Sequence, residues 1–165
     1  MSDQKPIHIF RMTHVDNIPH ILEYGITHVN SPNANPQYVP IGDSSLISTR
    51  SNFVLNNGRT LGEYIPFYFG FRMPMLYVIQ NGFNGVTPTK PNDIVYCVSS
   101  VEKVLSLGCG FIFTDGHAVD AFSTQFSALD FNKMRELLDQ KAIAAKFWKD
   151  DDDLDLKRRK ERSEE

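Results

Sequence analysis

A chain of 165 residues, 41% hydrophobic and 22% charged, has the size and balance of one domain folded around one core. No apolar run approaches the roughly eighteen residues that a membrane helix needs. The net charge is −3. Eight of the acids and six of the bases sit in the last stretch, Lys149 to Glu165, which leaves the body close to neutral. Composition therefore shows no basic field of the kind that announces a nucleic-acid partner, and any DNA binding has to use a local groove.

In chain order, Met1 to Pro6 lacks a basic region followed by an apolar stretch, so no secretory signal is expected there. Ile7 to Phe10 reads as a first strand. A helix follows through Ile18, Ile21 and Leu22 at helical spacing, capped by Thr13 or Asp16 and ended by Gly25. Asn30 to Pro40 and Arg50 to Gly62 have the Asn, Pro, Ser and Gly content of loops, the second with an Asn56-Asn57-Gly58 turn. Ile65 to Phe71 is an aromatic strand by its pattern, and Met75 to Ile79 is a short apolar element of either type. Asp93 to Val98 alternates as a strand should, Val101 to Leu107 reads as a helix, and Gly110 to Thr114 as a buried strand. Helical patterns occupy Phe131 to Leu138, Lys141 to Trp148 and, after an acidic run at Asp150 to Asp153, the basic segment Leu154 to Arg162. Strands and helices mixed irregularly, without repeats, predict an α+β fold in a single domain over residues 1–165.

The cysteines, Cys97 and Cys109, are too few for a disulfide framework, match no zinc spacing and sit among apolar residues. We expect buried, inert thiols in a reducing cytoplasm. No phosphate-binding glycine loop of the Walker or dinucleotide type is present, and no metal-ligand spacing appears. His8 and His14 flank a strand end and read as structural. Thr13 and His14 lie between a strand and a helix N-terminus, a place that suits a pyrophosphate, although spacing alone favours a Thr13 that merely caps the helix. Arg50 follows a Gly-Asp-Ser-Ser loop, where a planar guanidinium either grips a phosphate or carbonyl or simply pairs with a carboxylate. Tyr64, Phe67, Tyr68, Phe69 and Phe71 are either core or stacking faces for bases.

Five segments taken in order carry more than any one of them. They are Ile9-Phe10-Arg11-Met12-Thr13-His14-Val15-Asp16-Asn17-Ile18 with Ile21-Leu22 and Gly25; Ile41-Gly42-Asp43 leading to Arg50; Tyr64-Ile65-Pro66-Phe67-Tyr68-Phe69 continuing to Pro74-Met75-Leu76-Tyr77; Phe111-Ile112-Phe113-Thr114-Asp115-Gly116-His117; and the basic stretch Lys157 to Glu165. Together they resemble the DarT family of ADP-ribosyltransferase toxins. The resemblance implies an α+β ADP-ribosyltransferase fold, with two small sheets packed at a steep angle around NAD. It implies transfer of ADP-ribose from NAD to a base of single-stranded DNA, thymidine in the best-known branch, with release of nicotinamide and without a metal. A macrodomain antitoxin of DarG type is the implied partner. No membrane is involved, and the implied setting is cytoplasmic.

Carried over by position, Arg11, Met12 and Thr13 would lie against NAD, with His20, His28 and Arg50 at further cofactor positions. The segment from about Asn35 to Ser51 would fold over the cofactor, and His117 to Glu165 would recognise the acceptor. Arg50 would be catalytic, facing the acceptor base. Its charge is permanent, so polarising the base carbonyl suits it better than removing a proton. Glu165 would be the catalytic carboxylate, opposing positive charge that develops at the nicotinamide ribose; Glu164 is the alternative, one residue out of register. Some members carry histidine at the position of Arg11 and others arginine, which points to a branch of the family. The family also continues past its glutamate into an apolar strand that this sequence lacks, from which we expect weak activity or none. Two alternatives remain at this level: an NAD-consuming enzyme with RNA or protein as acceptor, and a non-catalytic module that binds NAD or DNA.

Overall fold

The computed structural model describes residues 5–72, 74–138 and 143. The strands are β1 (His8–His14), β2 (Ile94–Ser100), β3 (Ile112–Thr114) and β4 (Gln125–Ser127). The helices are α1 (Ile18–Tyr24), α2 (Ser44–Asn52), α3 (Pro74–Asn81), α4 (Val101–Ser106) and α5 (Met134–Leu137), with several single 3-10 turns. Strand β1 pairs with β2, and β3 pairs with β4, so among the described residues two two-stranded sheets accompany the helices. This is the α+β class expected from the irregular alternation of elements.

By contacts the chain divides into two compact units, Met1–Phe10 with Pro66–Met73 and Val98–Glu165, and Arg11–Ile65 with Pro74–Cys97. In the first, Ile9, Val101, Phe113, Met134 and Leu138 form the core, with Phe67, Phe69, Phe111, Phe126 and Phe131 packed around it. The antiparallel register Ile112↔Ser127, Phe113↔Phe126, Thr114↔Gln125 places two phenyl rings face to face at 4.9 Å. The carboxylate of Glu102 accepts the Ile7 N–H at 3.1 Å through both oxygens and pairs with Arg135, which donates to the Lys5 carbonyl. These bonds tie the start of β1 to helices far away in sequence.

Ile65 to Phe71 is not the regular strand its pattern predicts. Tyr68 alone forms a bridge, to Phe10, with bonds of 2.7 and 2.8 Å. Pro66 has no N–H to give a ladder, while Phe67 and Phe69 point into the core. The aromatic run is thus core at those two positions. The helix expected over Phe131 to Leu138 is a 3-10 turn, Ala128–Lys133, followed by the short α5, because Ser127 and Asp130 form a capping box that starts the turn early. Strand β4 is too short for any periodicity to reveal. Of the cysteines, Cys97 is half-buried and Cys109 exposed, so the expectation of two buried thiols is wrong for Cys109. It follows Gly108, whose φ of 69° turns the chain outward past the end of α4. The helical segments expected from Lys141 to Trp148 and Leu154 to Arg162 lie outside the described residues, apart from Ile143.

In the second unit, Leu55, Leu61, Ile79 and Val86 are buried. Helix α3 resolves the ambiguous Met75 to Ile79 segment, with Ile79 1% exposed. A bridge between Val54 and Thr60 closes the Asn56-Asn57-Gly58 turn, with Gly58 at φ 82° as the turn requires. Among the described residues, no helix is long and apolar enough to cross a membrane, and no three metal-ligating side chains cluster.

Candidate active site

Most of the site residues expected from the sequence fall within the second unit, on three successive pieces of chain. Arg11, Met12 and Thr13 are consecutive on β1, with Met12 and Thr13 8% and 1% exposed and Arg11 half-buried. Two buried residues in succession mean that this end of the strand is covered on both faces. The Arg11 charge acts on Cys97, favouring its thiolate, but desolvation is the larger influence and holds the thiol pKa above its ordinary value.

Thr13 does not cap a helix, and neither does Asp16. His14 Nδ1 accepts the Asp16 N–H at 3.2 Å, starting a 3-10 turn at Val15–Asn17 that runs into α1. His14 therefore has the structural role expected of it. The Thr13 hydroxyl instead accepts a bond of 3.0 Å from the side-chain amide of Asn17, which is itself 1% exposed. That amide also donates to the Val39 carbonyl and accepts the Val39 N–H, both at 2.8 Å. Asn17 was not singled out from the sequence. The available signal was weak: an asparagine two residues before Pro19, which sits in the first turn of α1.

His20 lies on α1 with its ring 4.8 Å from that of Tyr24. His28 behaves differently. Its Nδ1 accepts the Asn30 N–H at 3.1 Å, so its Nε2 carries the proton and donates to the Gly62 carbonyl at 2.6 Å. Both ring nitrogens are therefore engaged by the chain itself, and the imidazole works as a clasp between residues 34 apart.

Arg50 is not on a loop. It occupies the last turn of α2, half-buried. The sequence Ser44–Asn52 has no apolar stripe, which is why periodicity misses the helix. Its start is set by the Asp43 carboxylate, which accepts the Ser45 N–H at 2.8 Å, and by the Ile47 N–H bond to the Asp43 carbonyl. Thr49, Ser51 and Asn52 then fold their side chains back onto the carbonyls four residues earlier, at 2.9, 2.8 and 3.2 Å. A run of small polar residues thus satisfies itself as a helix. At its end Gly62 packs on the backbone of Ser51, so that the His28–Gly62 clasp and the Arg50 turn share one neighbourhood. The segment expected to fold over a cofactor, Asn35 to Ser51, is half loop and half helix.

In the first unit, the start of the expected acceptor-recognition segment is a braced loop. Thr114 donates to the Gly116 carbonyl at 2.5 Å, Thr124 N–H reaches the Asp115 carboxylate at 2.7 Å, and Asp120 holds the Phe122 N–H at 3.0 Å. Phe122 itself is 85% exposed. Glu164 and Glu165 lie outside the described residues.

The family described as "ssDNA thymidine ADP-ribosyltransferase, DarT" matches residues 10–165. A DNA ADP-ribosyl transferase of Thermus sp. (strain 2.9) is 34% identical over 163 residues, covering 95% of this chain and 74% of the relative. One of Escherichia coli O127:H6 is also 34% identical, over 132 residues, 79% of this chain. The chain spans 60% of the length of the E. coli relative. Among solved structures, Thermus sp. 2.9 DarT in complex with ADP-ribosylated single-stranded DNA superposes with a TM-score of 0.78 at 32% identity, over 97% of this chain and 74% of the other. The same protein in complex with NAD+ gives 0.71 over 96% and 74%. The fold expected from the sequence is thus the fold of these neighbours, and the chain belongs to the DarT family of single-stranded DNA thymidine ADP-ribosyltransferases.

Proposed function

We propose that this chain is an NAD-dependent ADP-ribosyltransferase acting on a base, thymidine, in single-stranded DNA, as the toxin of a toxin–antitoxin pair in the cytoplasm. The observation that carries the reading is the match to DarT bearing ADP-ribosylated DNA, at 32% identity over nearly the whole chain. NAD enters as substrate, supported by the neighbour in complex with NAD+. A glycohydrolase partner of the DarG macrodomain type is supported by a Thermosipho africanus relative, 26% identical, in which a transferase and a DNA ADP-ribosyl glycohydrolase are one fusion protein.

In this reading Arg11, Met12 and Thr13 line the NAD site, with His20 at its border. His28 serves it indirectly, since both ring nitrogens are occupied by backbone groups. Arg50 presents its planar fork to the acceptor base, stabilising the negative charge that appears on the base carbonyl as the ring nitrogen loses its proton. Glu165, or Glu164 beside it, faces the nicotinamide ribose and opposes its developing positive charge. The bond from that ribose carbon to nicotinamide breaks, the bond to the base nitrogen forms, and the proton of that nitrogen passes to the glutamate carboxylate.

The test is direct. Incubating the chain with NAD and a thymine-containing oligonucleotide should add the mass of one ADP-ribose to the DNA. Thermal stabilisation by NAD with no DNA adduct in any sequence context would instead favour a binding module, and an adduct on RNA or protein alone would favour a different acceptor.

A further inference from the structure

We propose that Asn17 is a positioning residue for the cofactor site: its buried amide fixes where the segment from Asn35 into α2 lies relative to the end of β1, and so sets the affinity for NAD. The inference rests on the transferase reading above. It adds a residue that makes no contact with the substrate and acts through the two stretches that do.

The geometry is specific. A carboxamide has an acceptor oxygen and two donor hydrogens in one plane. The Asn17 side-chain oxygen accepts the Val39 N–H and its NH2 group donates to the Val39 carbonyl, both at 2.8 Å, imitating a strand partner for a single residue. The nitrogen also reaches the Thr13 hydroxyl at 3.0 Å. One side chain, 1% exposed, therefore joins Thr13 on β1 to residue 39 in the covering segment.

The local bonds in and just ahead of that segment do not do this. Ser31 to His28, Ala34 to Ser31, Tyr38 to Asn35 and the Asn35 side chain to Gln37 all span two or three residues. They shape turns but carry no information about where the turns sit. His28 holds the chain ahead of the segment at Gly62, and Asn17 holds Val39 within it, 22 residues away in sequence. A buried amide whose hydrogen bonds are all met is a strong locator, because leaving its backbone partners unmet is costly.

The experiment compares the whole chain with Asn17→Ala, by calorimetric titration with NAD and by hydrogen exchange at the Val39 amide. The expected result is at least a tenfold weaker Kd for NAD, with Val39 exchanging at least tenfold faster while Ile79 in α3 keeps its protection. If Asn17→Ala does not fold, the wild-type chain decides: bound NAD should slow exchange at Val39. Binding of NAD by the variant within twofold of wild type, or exchange at Val39 that NAD leaves unchanged, overturns the proposal. A wild-type chain that does not bind NAD overturns it as well, and that failure belongs to the transferase reading if the Val39 amide of Asn17→Ala still exchanges faster.

Discussion

Gly62 lies so close to the backbone of Ser51 that a Cβ on it would sit 2.8 Å from the Ser51 carbonyl oxygen and 2.9 Å from its Cα. Neither atom belongs to a flexible side chain, so the helix end that carries Arg50 would have to move. Gly62→Ala should destabilise the fold by roughly 1–3 kcal/mol. Gly110→Ala, where an added Cβ meets nothing within 4 Å, should change stability by less than about 0.5 kcal/mol. Chemical denaturation of both variants checks this; equal midpoints would show that the Ser51 contact yields easily.

The clasp between His28 and the Gly62 carbonyl predicts that His28→Ala costs about 1–2 kcal/mol, the loss of two hydrogen bonds to backbone groups. Any loss of NAD binding in that variant should then track the lost stability. His28→Gln, which retains a donor, should recover part of both. A variant of full stability with no NAD binding would instead make His28 a direct ligand.

Arg50→Ala should abolish DNA modification, and Arg50→Lys should not restore it, because an ammonium on a flexible stem lacks the planar fork. Mass spectrometry of a thymine-containing oligonucleotide after incubation with NAD is the readout. Labelling at the wild-type rate by either variant would remove Arg50 from the chemistry.

Cys97 and Cys109 should differ towards alkylating agents. Burial raises the Cys97 thiol pKa, so near pH 8 little of it is the reactive thiolate. Cys109 is exposed and should be labelled first, as peptide mapping after a short pulse would show. The sign for stability follows: the folded chain holds a proton that the unfolded chain releases sooner. The contribution from Cys97 is therefore full below the unfolded pKa and is lost as pH rises through the folded value.

Met134 has no exposed surface and Ile79 has 1%, one in each unit. Met134→Ala should cost about 2–5 kcal/mol and Ile79→Val about 0.5–1.5 kcal/mol. Melting curves followed by circular dichroism test both, and a Met134→Ala midpoint unchanged from wild type would mean that the core around it re-closes without loss.

Local chemistry was enough to place α1 between an early strand and Gly25, β2, α4 and the Asn56-Asn57-Gly58 turn, since each is set by spacing, caps or a positive φ that neighbouring residues dictate. The family and its fold were also legible, because five segments kept their order and spacing. Other features depended on partners far along the chain. Helix α2 has no apolar stripe and is held by side chains folding back on its own carbonyls. Tyr68 pairs and its neighbours do not, because Phe10 offers one bridging position while the rings of Phe67 and Phe69 are drawn into the core. The placement of Thr13 near Val39 runs through Asn17, and His28 is linked to the end of α2 through Gly62 and Ser51. Hydrogen bonds spanning 22 and 34 residues leave no periodicity in a sequence; they exist only once the chain has closed on itself.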